Sequence, residues 1–316
     1  MKKICVTGAK GFIGAPLCKA LSSLDKSIRG FVRNLDSNKN SSKIQYVSVG
    51  DISSKINWKD KLKGFDCVIH CAGKSHVMNK IKNFDEYQLV NTEGTRQLAE
   101  QAAEVGVRRL IFLSSIKVNG NSTGKFDNRE AFTNNDIPNP EDDYAISKFK
   151  AEESLWQISA KTGLEVVIVR LPLVYGKDAK GNLARLIKLV ESGFPLPLSM
   201  IKNQRSMIGI DNLIDLLICC TEHPYAAGKT FLVSDGEDLS TSELINFIAS
   251  SMGRKVHLFP VPIFLLKFLS YIFGKHQEIN RLIESLKIDS NYTKETLNWK
   301  PPLSVKEGIR KMIQGK

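Results

Sequence analysis

The stretch Lys3-Ile4-Cys5-Val6-Thr7-Gly8-Ala9-Lys10-Gly11-Phe12-Ile13-Gly14 decides the fold. Lys3–Thr7 is a strand-length run rich in apolar residues, and Ile13–Ser23 after it has the apolar spacing of an amphipathic helix. Between them stand glycines at intervals of three. Glycine permits a tight turn and lets a pyrophosphate approach the backbone, where it rests on the helix N-terminus. The spacing is GxxGxxG, whereas the usual dinucleotide fingerprint is GxGxxG. Glycines after a strand also serve as plain turn residues; the strand–glycine–helix order favours the phosphate reading.

Outward from this loop, short β-branched runs alternate with helix-period segments, the pattern of a parallel sheet covered by helices on both faces. The strands expected are Lys3–Thr7, Ser27–Val32, Ile44–Ser48, Cys67–His70, Arg109–Ser114 and Glu165–Arg170. Helices are expected over Ile13–Ser23, Asp85–Val105 and Tyr144–Thr162. After Arg170, Pro172, Pro195 and Pro197 with Gly176, Gly181 and Gly193 break the pattern, and helices follow to the end. We therefore expect a dinucleotide-binding domain over 1–170 and a smaller, mostly helical substrate lobe over 171–204 and 236–316. The stretch 205–235 returns to the sheet, with Leu232–Val233 as a late strand.

Composition narrows the function. The 316 residues carry 42% apolar and 25% charged side chains, an ordinary globular balance. A chain of this size buries roughly 75% of its unfolded surface and needs neither disulfide nor metal to fold. Lys and Arg exceed Asp and Glu by 45 to 33, a net +12, but the lysines are scattered, which argues against a nucleic-acid arm. The charge reads as a solvated surface or a mild attraction for anionic small molecules. The six cysteines form no CxxC pair and no His/Cys cluster has metal-ligand spacing, so a reduced, cytoplasmic protein without a metal is expected. The first strand begins too early to leave room for a signal peptide. The most apolar stretch, Ile263–Phe273, is shorter than the roughly 20 residues of a membrane span. It reads as a buried helix, with a surface anchor as the alternative.

Two further features carry chemistry. The second strand ends Phe31-Val32-Arg33-Asn34, with no carboxylate before Asp36, where dinucleotide sites often place an acid on the ribose. Arg33 suits a 2′-phosphate, which leans the NAD(P) choice toward NADP, unless it is simply a solvent-facing arginine. Asp51, after the third strand, is placed to accept the adenine amino group or to serve as a turn residue. Tyr144-Ala145-Ile146-Ser147-Lys148 puts Tyr144 and Lys148 four apart, on one helix face. Asp142 and Asp143 before it offer capping carboxylates. Lowering a tyrosine pKa from about 10 by roughly three units takes about 4 kcal/mol. An ammonium about 4 Å away supplies that order of energy at an effective dielectric of 20. Ser114-Ser115 ends a strand, and active groups of open α/β sheets gather at such ends.

Glycine loop, strand-end serine and YxxxK, in this order, resemble the extended short-chain dehydrogenase/reductases, in particular the NAD(P)-dependent nucleotide-sugar epimerase/dehydratase family. The likeness runs from Thr7 to about Leu303. It implies a Rossmann-type doubly wound parallel sheet and a cofactor site at Gly8, Gly11, Phe12, Ile13, Gly14, Arg33, Asp51, Ile52, Cys71, Ala72, Gly73 and Asn91, with Asn91 usually structural. By the same resemblance Ser115, Tyr144 and Lys148 are catalytic, Tyr144 and Lys148 also touching the cofactor. Ser75, Ser115, Asn182, Arg205 and Arg281 would contact a UDP-sugar, the two arginines gripping its diphosphate. A homodimer through the helices near Asp85–Val105 and Tyr144–Thr162 is also implied.

The segments Asn203–Leu213 and Phe231–Thr241 resemble one bacterial subgroup, the UDP-N-acetylquinovosamine dehydrogenases, 4-ketoreductases of surface-polysaccharide pathways that often carry the name UDP-glucose 4-epimerase. Leu173 stands where many epimerases carry a sugar-contacting Asn, and Asn119 where a Tyr often precedes Gly120. Ile116-Lys117 replaces the Asp-Glu pair of 4,6-dehydratases, which excludes that reaction. The resemblance thus implies oxidoreduction at C4 of a UDP-sugar, with a 4-ketoreductase placed ahead of the alternative, a 4-epimerase. A non-catalytic dinucleotide sensor is a remoter reading, as is an NADPH reductase of steroid- or flavonoid-like ketones.

Overall fold

A computed structural model describes residues 3–35, 43–53, 55–75, 83–124 and 130–315. Asp36 lies outside them. The strands are β1 Lys3–Thr7, β2 Ser27–Val32, β3 Ile44–Ser48, β4 Cys67–His70, β5 Arg109–Ser115, β6 Glu165–Leu171, β7 Leu173–Tyr175, β8 Met207–Gly209 and β9 Lys229–Leu232. Seven of them form one parallel sheet in the order β3-β2-β1-β4-β5-β6-β9. This is the doubly wound α/β fold, and its central strands β4 and β5 are buried along their whole length.

Alternation along the strands divides the core. Ile4, Val6, Cys67, Ile69, Ile111, Leu113, Val167 and Val169 face helices Gly14–Ser23 and Ile210–Glu222. Cys5, Val68, Leu110, Phe112, Val166 and Ile168 face Gly94–Glu104 and Asp143–Thr162. The chain winds outward from β1 to β3 and then crosses back to place β4 on the other side of β1. Ligands of such sheets bind where the winding reverses, beyond the carboxyl ends of the strands. Here that point lies beyond Thr7 and His70, which are register partners.

Helix Asp143–Thr162 is capped by the Asp142 side chain, which accepts from the Ala145 amide at 2.8 Å, and stops at Gly163, φ +77°. The expected single helix Asp85–Val105 is instead Asn83–Tyr87, a π-helical turn Gln88–Glu93 and Gly94–Glu104. The wide turn contains Asn91, whose side chain bonds Lys74 and Ser147 rather than neighbours on its own helix.

Past β6, β7 and β8 pair as a small parallel ribbon of their own, helix Ile210–Glu222 packs on the large sheet, and β9 joins its edge beside β6. The late strand therefore ends at Leu232, one residue before the expected Val233. A further apolar cluster gathers Leu183, Leu186, Leu244, Ile245, Ile248 and Ile309 in the C-terminal part. The apolar stretch at 263–273 departs from its expected burial. It forms helix Ile263–Ile272, but only Leu266 and Ser270, four apart on one face, are buried. With no polar face, its sequence could not indicate which side meets the protein.

Between β5, β6 and helix Asp143–Thr162 lies a sealed ion pair. Arg170 donates to Glu152 at 2.6 Å and to Asn119 at 2.9 Å, and Ser114 donates to the same carboxylate. Glu152 is 2% exposed and Arg170 6%. Removing one partner of such a pair strands a buried charge, at a cost of about 3–5 kcal/mol, whereas replacing both with apolar groups is often nearly neutral. Arg170→Met should lower stability by that amount and Glu152→Leu/Arg170→Met should recover most of it, as read from urea denaturation midpoints. Equal midpoints for Arg170→Met and the parent would refute the assignment.

Candidate active site

The mouth of the sheet is assembled by backbone packing. Gly8 adopts φ +64°, and its carbonyl accepts from the Gly11 amide at 2.8 Å. A Cβ at Gly14 would lie 2.1 Å from the Gly8 oxygen, so helix Gly14–Ser23 starts directly against the loop. A Cβ at Gly8 would meet the Ala72 backbone at 3.0 Å, so the glycine loop and the segment after β4 touch main chain to main chain. Phe12 and Ile13 are half-buried, and the helix has no side-chain cap at Ile13. The Ala15 amide donates to the Gly11 carbonyl at 3.0 Å and Pro16 has no N–H, so the Gly14 amide is the first-turn donor left for an anion or water. These features fit a dinucleotide pyrophosphate, which Gly8, Gly11, Phe12, Ile13 and Gly14 would hold.

The opposite wall is tied down by side chains. Thr7 Oγ1 lies 2.7 Å from His70 Nδ1 and accepts from the Ala72 amide at 3.1 Å, while His70 Nε2 lies 3.0 Å from Thr95 Oγ1. Burial lowers the His70 pKa to about 3, with the Lys148 charge adding to the effect, so the ring is a neutral strut. Asn91 donates to the Lys74 carbonyl at 2.9 Å and to Ser147 at 3.0 Å, and accepts from the Lys74 amide. It shapes the wall rather than presenting a free amide. Cys71 and Ala72 are half-buried and Gly73 exposed. A Cβ at Gly73 would stand 3.3 Å from Lys148 Nζ, so this glycine keeps the approach to the ammonium clear. At the far end, Arg33 and Asp51 pair with each other at 2.6 Å, both about three-quarters exposed, and Ile52 packs against the apolar cluster of Trp58 and Leu98.

Ser115, Tyr144 and Lys148 converge at the end of β5. Tyr144 lies beside Ser115, which acts to lower the phenol's pKa, and Ser115 Oγ accepts from the Lys117 amide at 3.3 Å. Tyr87 lies edge-on to the Tyr144 ring, 5.9 Å between centroids. Lys148 Nζ donates to the Leu113 carbonyl at 2.8 Å and sits over Phe112, 4.3 Å from the ring centre. The expected depression of the Tyr144 pKa by Lys148 is not what the structure gives. Burial pushes the phenol up to about 12, with Ser115 partly opposing it. Burial also lowers Lys148 to about 8, against the opposing charge of Glu152. Lys148 is not among the groups that shift the phenol; its ammonium donates to the Leu113 carbonyl.

A third group lies in the C-terminal part. Arg205 is largely buried and donates to the Arg281 and Glu284 carbonyls, each at 3.0 Å. Burial lowers its pKa, the Glu284 charge opposes this, and the Arg281 charge adds a smaller lowering. The two guanidinium-bearing residues are thus neighbours, with the Glu284 carboxylate also acting on Arg205. Arg205 bridges to Leu286, and Leu286 shares an apolar cluster with Ile116, the residue after Ser115. Asn182 opens helix Asn182–Glu191 and is exposed, as is Ser75; the structure joins neither to the other groups by a described contact. Sequence reasoning overlooked Glu152 and Arg170. Glu152 lies one turn beyond Lys148 on the same helix face, and an arginine inside the otherwise apolar run of β6 was the available sign.

Residues 4–234 match the model of the NAD dependent epimerase/dehydratase family. The chain is 41% identical over 99% of its length to a UDP-glucose 4-epimerase of Vibrio cholerae, covering 95% of that protein. It is 26% identical over 88% of its length to N-acetyl-alpha-D-glucosaminyl-diphospho-ditrans,octacis-undecaprenol 4-epimerase of Escherichia coli O157:H7, covering 82% of that protein. Its fold is shared with UDP-glucose 4-epimerase of Thermotoga maritima (TM-score 0.77, 19% identity, 99% of this chain and 97% of that one). It is shared equally with UDP-glucuronic acid 4-epimerase of Bacillus cereus in complex with NAD (TM-score 0.78, 21% identity, 99% and 96%). The chain belongs to the NAD dependent epimerase/dehydratase family and is an NAD-dependent enzyme of the short-chain dehydrogenase/reductase type.

Proposed function

We propose that this enzyme interconverts the C4 epimers of a UDP-linked hexose or N-acetylhexosamine. The observation that carries the proposal is Tyr144 beside Ser115 at the carboxyl end of β5, with Lys148 buried one turn further along the same helix and bonded to the Leu113 carbonyl. The bound dinucleotide supplies hydride exchange at C4. Tyr144 takes the proton from the C4 hydroxyl and returns it, and Ser115 holds that oxygen. Lys148 orients the nicotinamide ribose through its ammonium, reached past Gly73. Arg205 and Arg281 grip the diphosphate, and Asn182 and Ser75 border the sugar. The relative from Vibrio cholerae supports epimerisation over the 4-ketoreductase that sequence alone placed first.

The 4-ketoreductase of a UDP-N-acetyl-6-deoxyhexosamine, in cytoplasmic surface-polysaccharide synthesis, remains the second reading. It is favoured by Leu173, an aliphatic side chain 40% exposed where many epimerases place a polar one. The two readings separate on coenzyme use. Purified protein given UDP-glucose or UDP-N-acetylglucosamine should form the C4 epimer by sugar NMR with no net change in nicotinamide absorbance. Turnover only of a 4-keto sugar, with stoichiometric loss of NAD(P)H, would establish the reductase instead.

For the coenzyme, Arg33 is the group that would admit NADP alongside NAD. Its ion pair with Asp51 is exposed, and such pairs contribute about 0–1 kcal/mol, so a 2′-phosphate displaces the carboxylate at little cost. Arg33→Ala should raise KM for NADP while leaving KM for NAD nearly unchanged. A parent enzyme that rejects NADP outright would contradict the proposal.

Proton transfer gives two further outcomes. Tyr144→Phe should retain the fold and lose about 100- to 10,000-fold in kcat, the range of general acid–base catalysis. The Lys148 pKa sits below its ordinary value, so the ammonium is present below about pH 8 and lost above it. The rate should therefore fall as pH rises through about 8. Glu152→Gln removes the charge that holds this value up, and should move that limb to lower pH. A limb unmoved by Glu152→Gln would separate Lys148 from the alkaline loss.

The homodimer is proposed through the outer faces of helices Gly94–Glu104 and Asp143–Thr162. Sedimentation equilibrium should return twice the chain mass.

A further inference from the structure

Helix Ile263–Ile272 and Phe273 after it form an apolar surface with no counterpart elsewhere in the described residues. Phe264, Tyr271 and Phe273 are more than 70% exposed, Phe268 and Ile272 62%, and Leu269 40%. Leu266 and Ser270 alone are buried, so the helix lies along the protein with the remainder of its circumference outward. Contiguous apolar patches of this kind mark interaction sites. No helix of the described residues is long and apolar enough to cross a membrane, so the surface cannot be a span.

The charges around it select the occupant. From Arg254 through Gln277 the sequence contains no carboxylate, while Arg254, Lys255, Lys267 and Lys275 are exposed. Glu278 follows, and Arg281 is exposed one turn further on. A second copy docked by this face about a two-fold axis would bring the same lysines toward each other. An anionic lipid surface instead takes both features together, the aromatic and aliphatic side chains entering the headgroup boundary and the lysines meeting phosphates. We propose that helix Ile263–Ile272 docks this protein peripherally on anionic lipid bilayers, with Phe264, Phe268 and Tyr271 as the inserted groups and Lys267 and Lys275 as the electrostatic ones.

Flotation of the full chain with vesicles tests this, using phosphatidylcholine alone and phosphatidylcholine mixed with phosphatidylglycerol. The protein should float with the mixed vesicles, less so at high salt, and stay in solution with phosphatidylcholine alone. Each cation near an anionic surface contributes about fivefold in binding, so Lys267→Glu/Lys275→Glu should weaken flotation at least about tenfold. Phe264→Ser/Phe268→Ser should also abolish it. Both variants alter exposed side chains and should keep parental melting and turnover of soluble UDP-sugar, so a failed activity assay of the parent does not decide the docking question. Absence of flotation with the mixed vesicles, or equal flotation with both compositions, would overturn the proposal. Loss of the parental dimer in Phe264→Ser/Phe268→Ser would overturn it in favour of a second copy.

Discussion

Two opposite charges sealed behind the reacting groups hold the candidate site together. Arg170 comes from β6, Glu152 from helix Asp143–Thr162, Ser114 from β5 and Asn119 from the turn after it, and all four meet in one network. That helix carries Tyr144 and Lys148, and β5 ends in Ser115. A shift of the helix along the sheet would break hydrogen bonds to a buried charge, so the network fixes the position of the phenol and ammonium relative to the strand end. The same carboxylate opposes the loss of charge on Lys148. One pair thus serves both placement and electrostatics.

Lys148 and Tyr144 illustrate how far a spacing argument reaches. Four residues on a helix put two side chains on one face, and they are on one face. Spacing cannot say which acceptor the longer side chain will choose, and Lys148 takes the Leu113 carbonyl. In this state burial moves each group toward its neutral form, the phenol upward and the ammonium downward. In the proposed reaction the dinucleotide and substrate supply part of the field that makes the phenol a base.

Much of the architecture was legible because local rules agree along the first half of the chain. The limits of β1 to β4 follow from short apolar runs bounded by glycine and polar turns, and the glycine loop announces its own geometry. Tyr144 and Lys148 were singled out by their spacing and Ser115 by the family resemblance, and the structure places Ser115 beside Tyr144. Less legible were features set by distant partners. The π turn follows from the bonds of Asn91 to Lys74 and Ser147, and the adjacency of Arg205 and Arg281 from the bridge of Arg205 to Leu286, a contact far along the chain that no local pattern predicts. The orientation of Ile263–Ile272 was illegible because hydrophobicity all round a helix names no inward side.

The wide turn at Gln88–Glu93 has a consequence for how this wall tolerates change. A π turn holds one more residue than an α turn, a surplus in the winding that later residues inherit. Loss of a single residue there would let the helix rewind and carry Asn91 about 100° around the axis, away from the loop after β4. Length, together with the amide of Asn91, is what this stretch of the crevice has to keep.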